Sequence, residues 1–101
     1  MLTHIVIWKY RTDVEQTIRE EHVARLRRLP SVIAGIRSFS AGFDTLHLPR
    51  SYHVGLVATF RDRAALDAYT VHPEHAAVAD FGRRISEHVA SVDFESDDES
   101  Q

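Results

Sequence analysis

Within seven consecutive residues, Tyr69-Thr70-Val71-His72-Pro73-Glu74-His75, the chain carries one phenol and two imidazoles. A phenol keeps its proton up to a pH of about 10, whereas an imidazole exchanges one near neutrality. Held at the end of a pocket, Tyr69 and His75 make a donor–acceptor pair that can move a proton on a carbon acid without a metal. The same stretch also reads as punctuation, one helix ending and another beginning at Pro73. On that reading Tyr69 is a packed helix-end ring with a bonded hydroxyl, and His75 bonds a neighbouring strand. His72, directly before the proline, suits the N-cap of the following helix, where a neutral imidazole accepts a backbone hydrogen bond.

His4 and Trp8 join this pair through strand geometry. They share one face of the run Leu2 to Tyr10 with Val6, so any cavity under that face receives both side chains. His4 is then a polar substrate contact, or a buried histidine satisfied by a backbone carbonyl or by Asp93. Trp8 lines a ligand pocket or is plain core. Seven histidines in 101 residues raise the question of a metal. His72 and His75 have helical spacing beside Glu74, but a zinc site needs at least three convergent ligands. The other candidates, His22, His47, His53 and His88, fall on different elements, so no metal is expected. None of the four glycines sits in a GxGxxG run, and no cofactor is expected.

The elements that position these residues follow from periodicity. Leu2 to Tyr10 is rich in β-branched and aromatic residues and predicts a strand. Thr12-Asp13-Val14-Glu15 matches a capping box. Val14, Ile18, His22 and Leu26, with Val23 and Leu29, then recur at helical spacing up to Pro30, which closes the predicted helix. Gly35 to Phe43 and Ser51 to Phe60 predict two strands joined by a hairpin connection over Asp44 to Arg50. Asp62 caps a short helix reaching about Tyr69, and Pro73 opens a third with Val78, Phe81 and Ile85 inward. Ala90 to Phe94 predicts a last, short strand. The domain spans 1–94, and 95–101, acidic and without an apolar residue, reads as a disordered tail.

Composition bounds the partners. The 12 Lys and Arg residues against 15 Asp and Glu give a net charge of −3, with 44% hydrophobic residues. Such a chain is globular, and it lacks the concentrated basic face of a nucleic-acid binder. Arg25, Arg27 and Arg28 form the tight basic cluster, which a solvated helix face explains. With no cysteine, disulfides, thiol nucleophiles and thiolate metal sites are excluded. No apolar run is long enough to span a bilayer and the first residues do not follow a signal-peptide pattern, so a cytoplasmic protein without a membrane partner is expected.

The order β-α-β-β-α-(α)-β is the split β-α-β arrangement: an α+β, ferredoxin-like antiparallel sheet with helices on one face. Ile5, Ile7 and Val57 fall on the opposite face from Val6, Trp8 and Leu56. An apolar face left bare by the helices predicts an interface. Two sheets stacked through it give a homodimeric α/β barrel.

His4-Ile5-Val6-Ile7-Trp8-Lys9-Tyr10, Leu29-Pro30 before Ala34-Gly35-Ile36, the run Tyr52 to Phe60, then Leu66, Tyr69, His72-Pro73, His75 and Val92-Asp93-Phe94 together resemble the stress-responsive A/B barrel (Dabb) domain. The resemblance covers nearly the whole chain and implies the same dimeric barrel. It implies a stress-response protein of unassigned biochemistry, a small-ligand-binding or structural homodimer. Alternatively it implies a cofactor-independent cyclase or lyase acting on a small apolar or polyketide-like ligand. In such cyclases the tyrosine and histidine matching Tyr69 and His75 do the acid–base work. The strand histidine matches His4, and a further pocket histidine matches on or next to His53. A cofactor-free monooxygenase or isomerase is a third alternative, since other dimeric barrels do that chemistry. An open cavity between His4, Tyr69 and His75 favours an enzyme, whereas a filled one favours a structural role.

Overall fold

The computed structural model describes residues 1–96. Its elements run β1 (Leu2–Tyr10), α1 (Gln16–Val32), β2 (Ile36–Phe43), β3 (Val54–Phe60), α2 (Arg63–Val71), α3 (Pro73–Ile85) and β4 (Ser86–Glu95). The four strands form one antiparallel sheet in the order β2-β3-β1-β4. This is the ferredoxin-like topology.

The strand register builds the two faces row by row. On the inner face His4 lies between Ala58 and Asp93, Val6 between Leu56 and Ser91, and Trp8 between Val54 and Val89. The helices pack on this face and bury Leu2, Trp8, Leu56, Ala58 and Phe60 beneath Leu26, Leu66 and Tyr69. On the outer face Thr3 lies between Thr59 and Phe94, Ile5 between Val57 and Val92, and Ile7 between Gly55 and Ala90. No helix among the described residues is long and apolar enough to cross a membrane.

β3 begins at Val54 rather than Ser51, and three further differences from the sequence expectations each have a local reason. The capping box at Thr12 does not form. Arg19 takes the Val14 carbonyl with Nε at 3.0 Å and the Arg11 carbonyl with Nη2 at 3.2 Å. Residues 11–14 are thereby held as a turn, and α1 begins only at Gln16, with Glu15 at the N-cap and no side-chain cap. Pro30 does not end α1, which continues to Val32. Leu29 and Ile33 on either side are both buried, and the Ile33 amide still reaches the Leu29 carbonyl at 3.0 Å. Burial of these two side chains outweighs the steric bias that proline places on its neighbour. The final strand is longer than Ala90–Phe94, because β4 pairs along all of β1, Leu2 with Glu95 and Tyr10 with Ser86. The predicted acidic tail therefore starts inside a strand, and residues 97–101 lie outside the described residues.

α3 sits closest to β1 and α1 at His22 and Trp8. The His22 ring is fully buried, meets the Trp8 indole edge-on with centroids 5.0 Å apart, and shares a 2.6 Å hydrogen bond between Nδ1 and the Tyr10 hydroxyl. Burial, reinforced by the charge of Arg25, lowers its pKa to about 4, so the ring is neutral in the fold. Gly82 lies directly over this pair: a Cβ there would stand 2.7 Å from His22 Nε2 and 2.9 Å from Trp8 Nε1. Ala for Gly inside a helix ordinarily stabilises, by up to about 1 kcal/mol. Gly82→Ala is expected to do the reverse and to cost about 1–3 kcal/mol through overpacking, measured as a lower midpoint in chemical denaturation. A raised midpoint would contradict this close seating of α3.

Candidate functional site

The helices do not fill the inner face completely. Under α3, beside the edge strand β4, lies an open cavity of about 210 Å³. Its floor is His4, Val6, Trp8, Leu56, Val89 and Ser91, and its roof comes from Leu26, Tyr69, His75, Val78, Ala79 and Arg83. An apolar cavity of roughly 150 Å³ takes up benzene, so this space suits a molecule built around one aromatic ring.

Tyr69 and His75 reach the cavity from opposite sides of the break between α2 and α3. The break has two causes. Pro73 supplies the first residue of α3, and the His72 ring caps it, Nδ1 accepting from the Glu74 amide at 3.1 Å. Tyr69 therefore lies in the last turn of α2 and His75 in the first turn of α3, with ring centroids 4.3 Å apart. The Tyr69 ring also packs on Phe60 at 5.1 Å and on His4 at 6.0 Å. Its hydroxyl has no hydrogen-bond partner among the described residues, and burial pushes its pKa up to about 12. Tyr69 thus stays a proton donor throughout the physiological range.

The backbone partner of His75 fixes its tautomer. His75 Nδ1 lies 3.0 Å from the Thr70 carbonyl. A carbonyl only accepts, so Nδ1 carries the proton and Nε2 keeps its lone pair. Burial lowers the His75 pKa, opposed by the Thr70 bond and helped by the charges of His4, Arg83 and His72. The ring is a neutral base with a free Nε2. His4 Nδ1–H donates to the Asp93 carboxylate directly across the strand pair, which fixes the orientation of the ring.

Four of the five residues expected at a site, His4, Trp8, Tyr69 and His75, line this one cavity. His53 does not join them. It precedes β3, its amide bonding the Trp8 carbonyl at 2.8 Å, and so lies past Trp8 along the sheet. There its Nδ1 accepts the Tyr10 amide at 2.9 Å and its ring stacks on Tyr10 at 5.5 Å, beside a smaller depression with Arg19 and His47. His53 thus ties the hairpin loop to the end of β1. Arg83 and Ser91, also in the lining, were not anticipated; His75, Ala79 and Arg83 at intervals of four were the available signal. Among the described residues no group of three His, Asp or Glu side chains is arranged to hold a metal.

Comparison with known proteins agrees with this architecture. A dimeric ferredoxin-like protein of unknown function from Thermobifida fusca YX superposes with a TM-score of 0.86 at 22% identity, covering 94% of this chain and 90% of that one. A dimeric protein of unknown function and ferredoxin-like fold from Bacteroides fragilis NCTC 9343 gives 0.81 at 27% identity, covering 94% and 95%. The hydroxynitrile lyase from Passiflora edulis gives 0.84 at 16% identity, covering 96% and 94%. No curated protein matches the sequence significantly. The family model of the stress responsive A/B barrel domain, Dabb, matches residues 2–96, and the chain belongs to that family.

Proposed function

We propose that this protein is a homodimeric, cofactor-free enzyme of the cyclase or lyase class that moves a proton on a small, largely apolar carbonyl compound. The observation that carries the proposal is the convergence of Tyr69, His75 and the Asp93-paired His4 on one open, apolar cavity. A purely structural domain has no need of unfilled space at that point.

The steps use the chain's own groups. His75 Nε2 removes a proton from the carbon next to a carbonyl, and the electron pair of the broken C–H bond moves onto the carbonyl oxygen. The Tyr69 hydroxyl donates a hydrogen bond to the enolate oxygen so formed, in a cavity whose apolar walls strengthen that bond. In ring closure the enolate carbon attacks a second carbonyl carbon of the same substrate, and the alkoxide takes a proton back from the His75 imidazolium. His4, oriented by Asp93, is a polar contact for a substrate oxygen. The likeness to a hydroxynitrile lyase is one of fold; it adds an aromatic cyanohydrin to the compounds worth testing.

The homodimer rests on the outer face. Val57, Val92 and Phe94 are 40%, 53% and 46% exposed there, a contiguous apolar surface with Ile5 and Ile7. The Thermobifida and Bacteroides relatives are dimeric, which supports a homodimer.

The first test is deuterium exchange at the carbon next to the ketone of benzoylacetone and of phenylpyruvate, with ring closure of polyketide thioesters and cleavage of mandelonitrile assayed alongside. His75→Ala and Tyr69→Phe, with folding checked by circular dichroism, are each expected to lose roughly a hundredfold or more of any turnover. Inactivity of the intact protein in every assay would overturn the enzymatic proposal in favour of a non-catalytic dimer. The pH profile of kcat/KM carries its own signature. Since the neutral His75 ring is the active form and its pKa is lowered, the acid limb falls below the ordinary histidine value of 6.5. Tyr69 produces no alkaline limb before about pH 12. An acid limb above 6.5 would rule His75 out as the base.

For assembly, Val57→Asp places a charge at the middle of the proposed interface and is expected to convert a two-chain particle into a folded single chain in analytical ultracentrifugation. A wild-type protein that sediments as one chain at micromolar concentration would contradict the dimer.

A further inference from the structure

The cavity has a second chemical end. His75, Ala79 and Arg83 form one stripe of α3 facing it, and eight residues of helix separate the first from the last by about 12 Å. α3 runs in the same direction as β1, with His75 against Tyr69 beside His4 and Gly82 over Trp8. The Arg83 backbone therefore stands at the Trp8 and Val89 end of the cavity, about two helical turns from that of His75. It is the one Arg or Lys among the lining residues, and no Asp or Glu lines the cavity.

The charge of Arg83 is incompletely compensated. Its nearest carboxylate, Asp80, lies 3.7 Å from Nη2, but the same carboxylate is held at 3.0 Å by Arg84 Nε. One carboxylate thus serves two guanidinium groups, and the tighter pair belongs to Arg84. The Arg83 side chain is 64% exposed, so it is free to turn toward an incoming group, and its charge is already felt at His75. A guanidinium presents a planar fork of donors that matches a carboxylate.

We infer that the molecule this cavity takes is a small organic acid, with its carboxylate on Arg83 at the mouth, its apolar body along Val6, Leu56 and Ala79, and its reacting carbon against Tyr69 and His75. The inference rests on the acid–base reading of the same cavity and adds the substrate class. Deprotonating such a substrate creates a second negative charge, and Arg83 offsets the first while Tyr69 receives the second. The Arg83 side chain reaches back toward the N-terminus of α3, so a body about as long as a substituted aromatic ring spans the two ends.

Calorimetric titration with cinnamate and its neutral amide, cinnamamide, tests this on the intact protein and on Arg83→Gln and Arg84→Gln. Both positions are exposed, so both variants are expected to fold. Cinnamate is expected to bind about fivefold more tightly than the amide, on the scale of a solvent-exposed ion pair. The preference is expected to shrink with added salt, to vanish in Arg83→Gln and to persist in Arg84→Gln. Equal affinity for acid and amide would overturn the organic-acid inference and leave the acid–base reading standing. Loss of the preference in Arg84→Gln as well would reduce it to general surface charge and overturn it too. Failure of both compounds to bind would sink this inference and the ligand-site reading together.

Discussion

The Thr70 carbonyl, without an amide partner among the described residues where α2 ends, accepts the ring proton of His75 at 3.0 Å. Helix ends always leave such acceptors, and most are satisfied by water or by a tighter last turn. Here the acceptor holds an imidazole in one tautomer and directs its unprotonated nitrogen away from the backbone. The geometry exists only because α2 and α3 are two helices. A continuous helix through 69–75 would hydrogen-bond that carbonyl internally, at Glu74, and would carry Tyr69 and His75 to different faces. Pro73 and the His72 cap force the interruption, so a local rule of helix termination sets the protonation state of a side chain in the cavity.

The other half of the site depends on strand register. Asp93 meets His4 because β4 pairs with β1 antiparallel, with these two residues directly opposed on the inner face. A slip of one residue would turn Asp93 outward and bring an apolar neighbour under the helices. The register is held at one end by Met1 and Ser96, the Ser96 amide reaching the Met1 carbonyl at 3.0 Å. At the other end the Arg11 amide bonds the Ile85 carbonyl at 3.0 Å. The packed row of Trp8, His22 and Gly82 then fixes α3 along β1. Beyond it, the small Ala79 and the edge position of β4 leave the inner face open. Space for a ligand and the groups that could act on it thus arise from the same packing.

Much of this was legible in the chain itself. Element order followed from periodicity, and the strand β1, apolar on alternate and intervening positions alike, announced a sheet with two apolar faces. Tyr69 and His75 were readable because Pro73 marks the boundary between them. What escaped depended on competition between groups that spacing alone does not rank. The capping box at Thr12 lost to Arg19, a residue in the first turn of α1 that takes the carbonyls of Arg11 and Val14. Pro30 was overruled by the burial of Leu29 and Ile33. His53 carries no local sign of which side of Trp8 it will occupy, and only the register of β3 against β1 decides that. Arg83 resembles any charged residue of an exposed helix until Asp80 is seen to be shared with Arg84.

The most direct measurement is the tautomeric state of His75, read from the ring-nitrogen shifts of the 15N-labelled protein at neutral pH. The expected result is a neutral ring with its proton on Nδ1 and a bare Nε2. A proton on Nε2, or a ring already charged at pH 7, would contradict it, because the nitrogen assigned to receive the substrate proton would then be occupied.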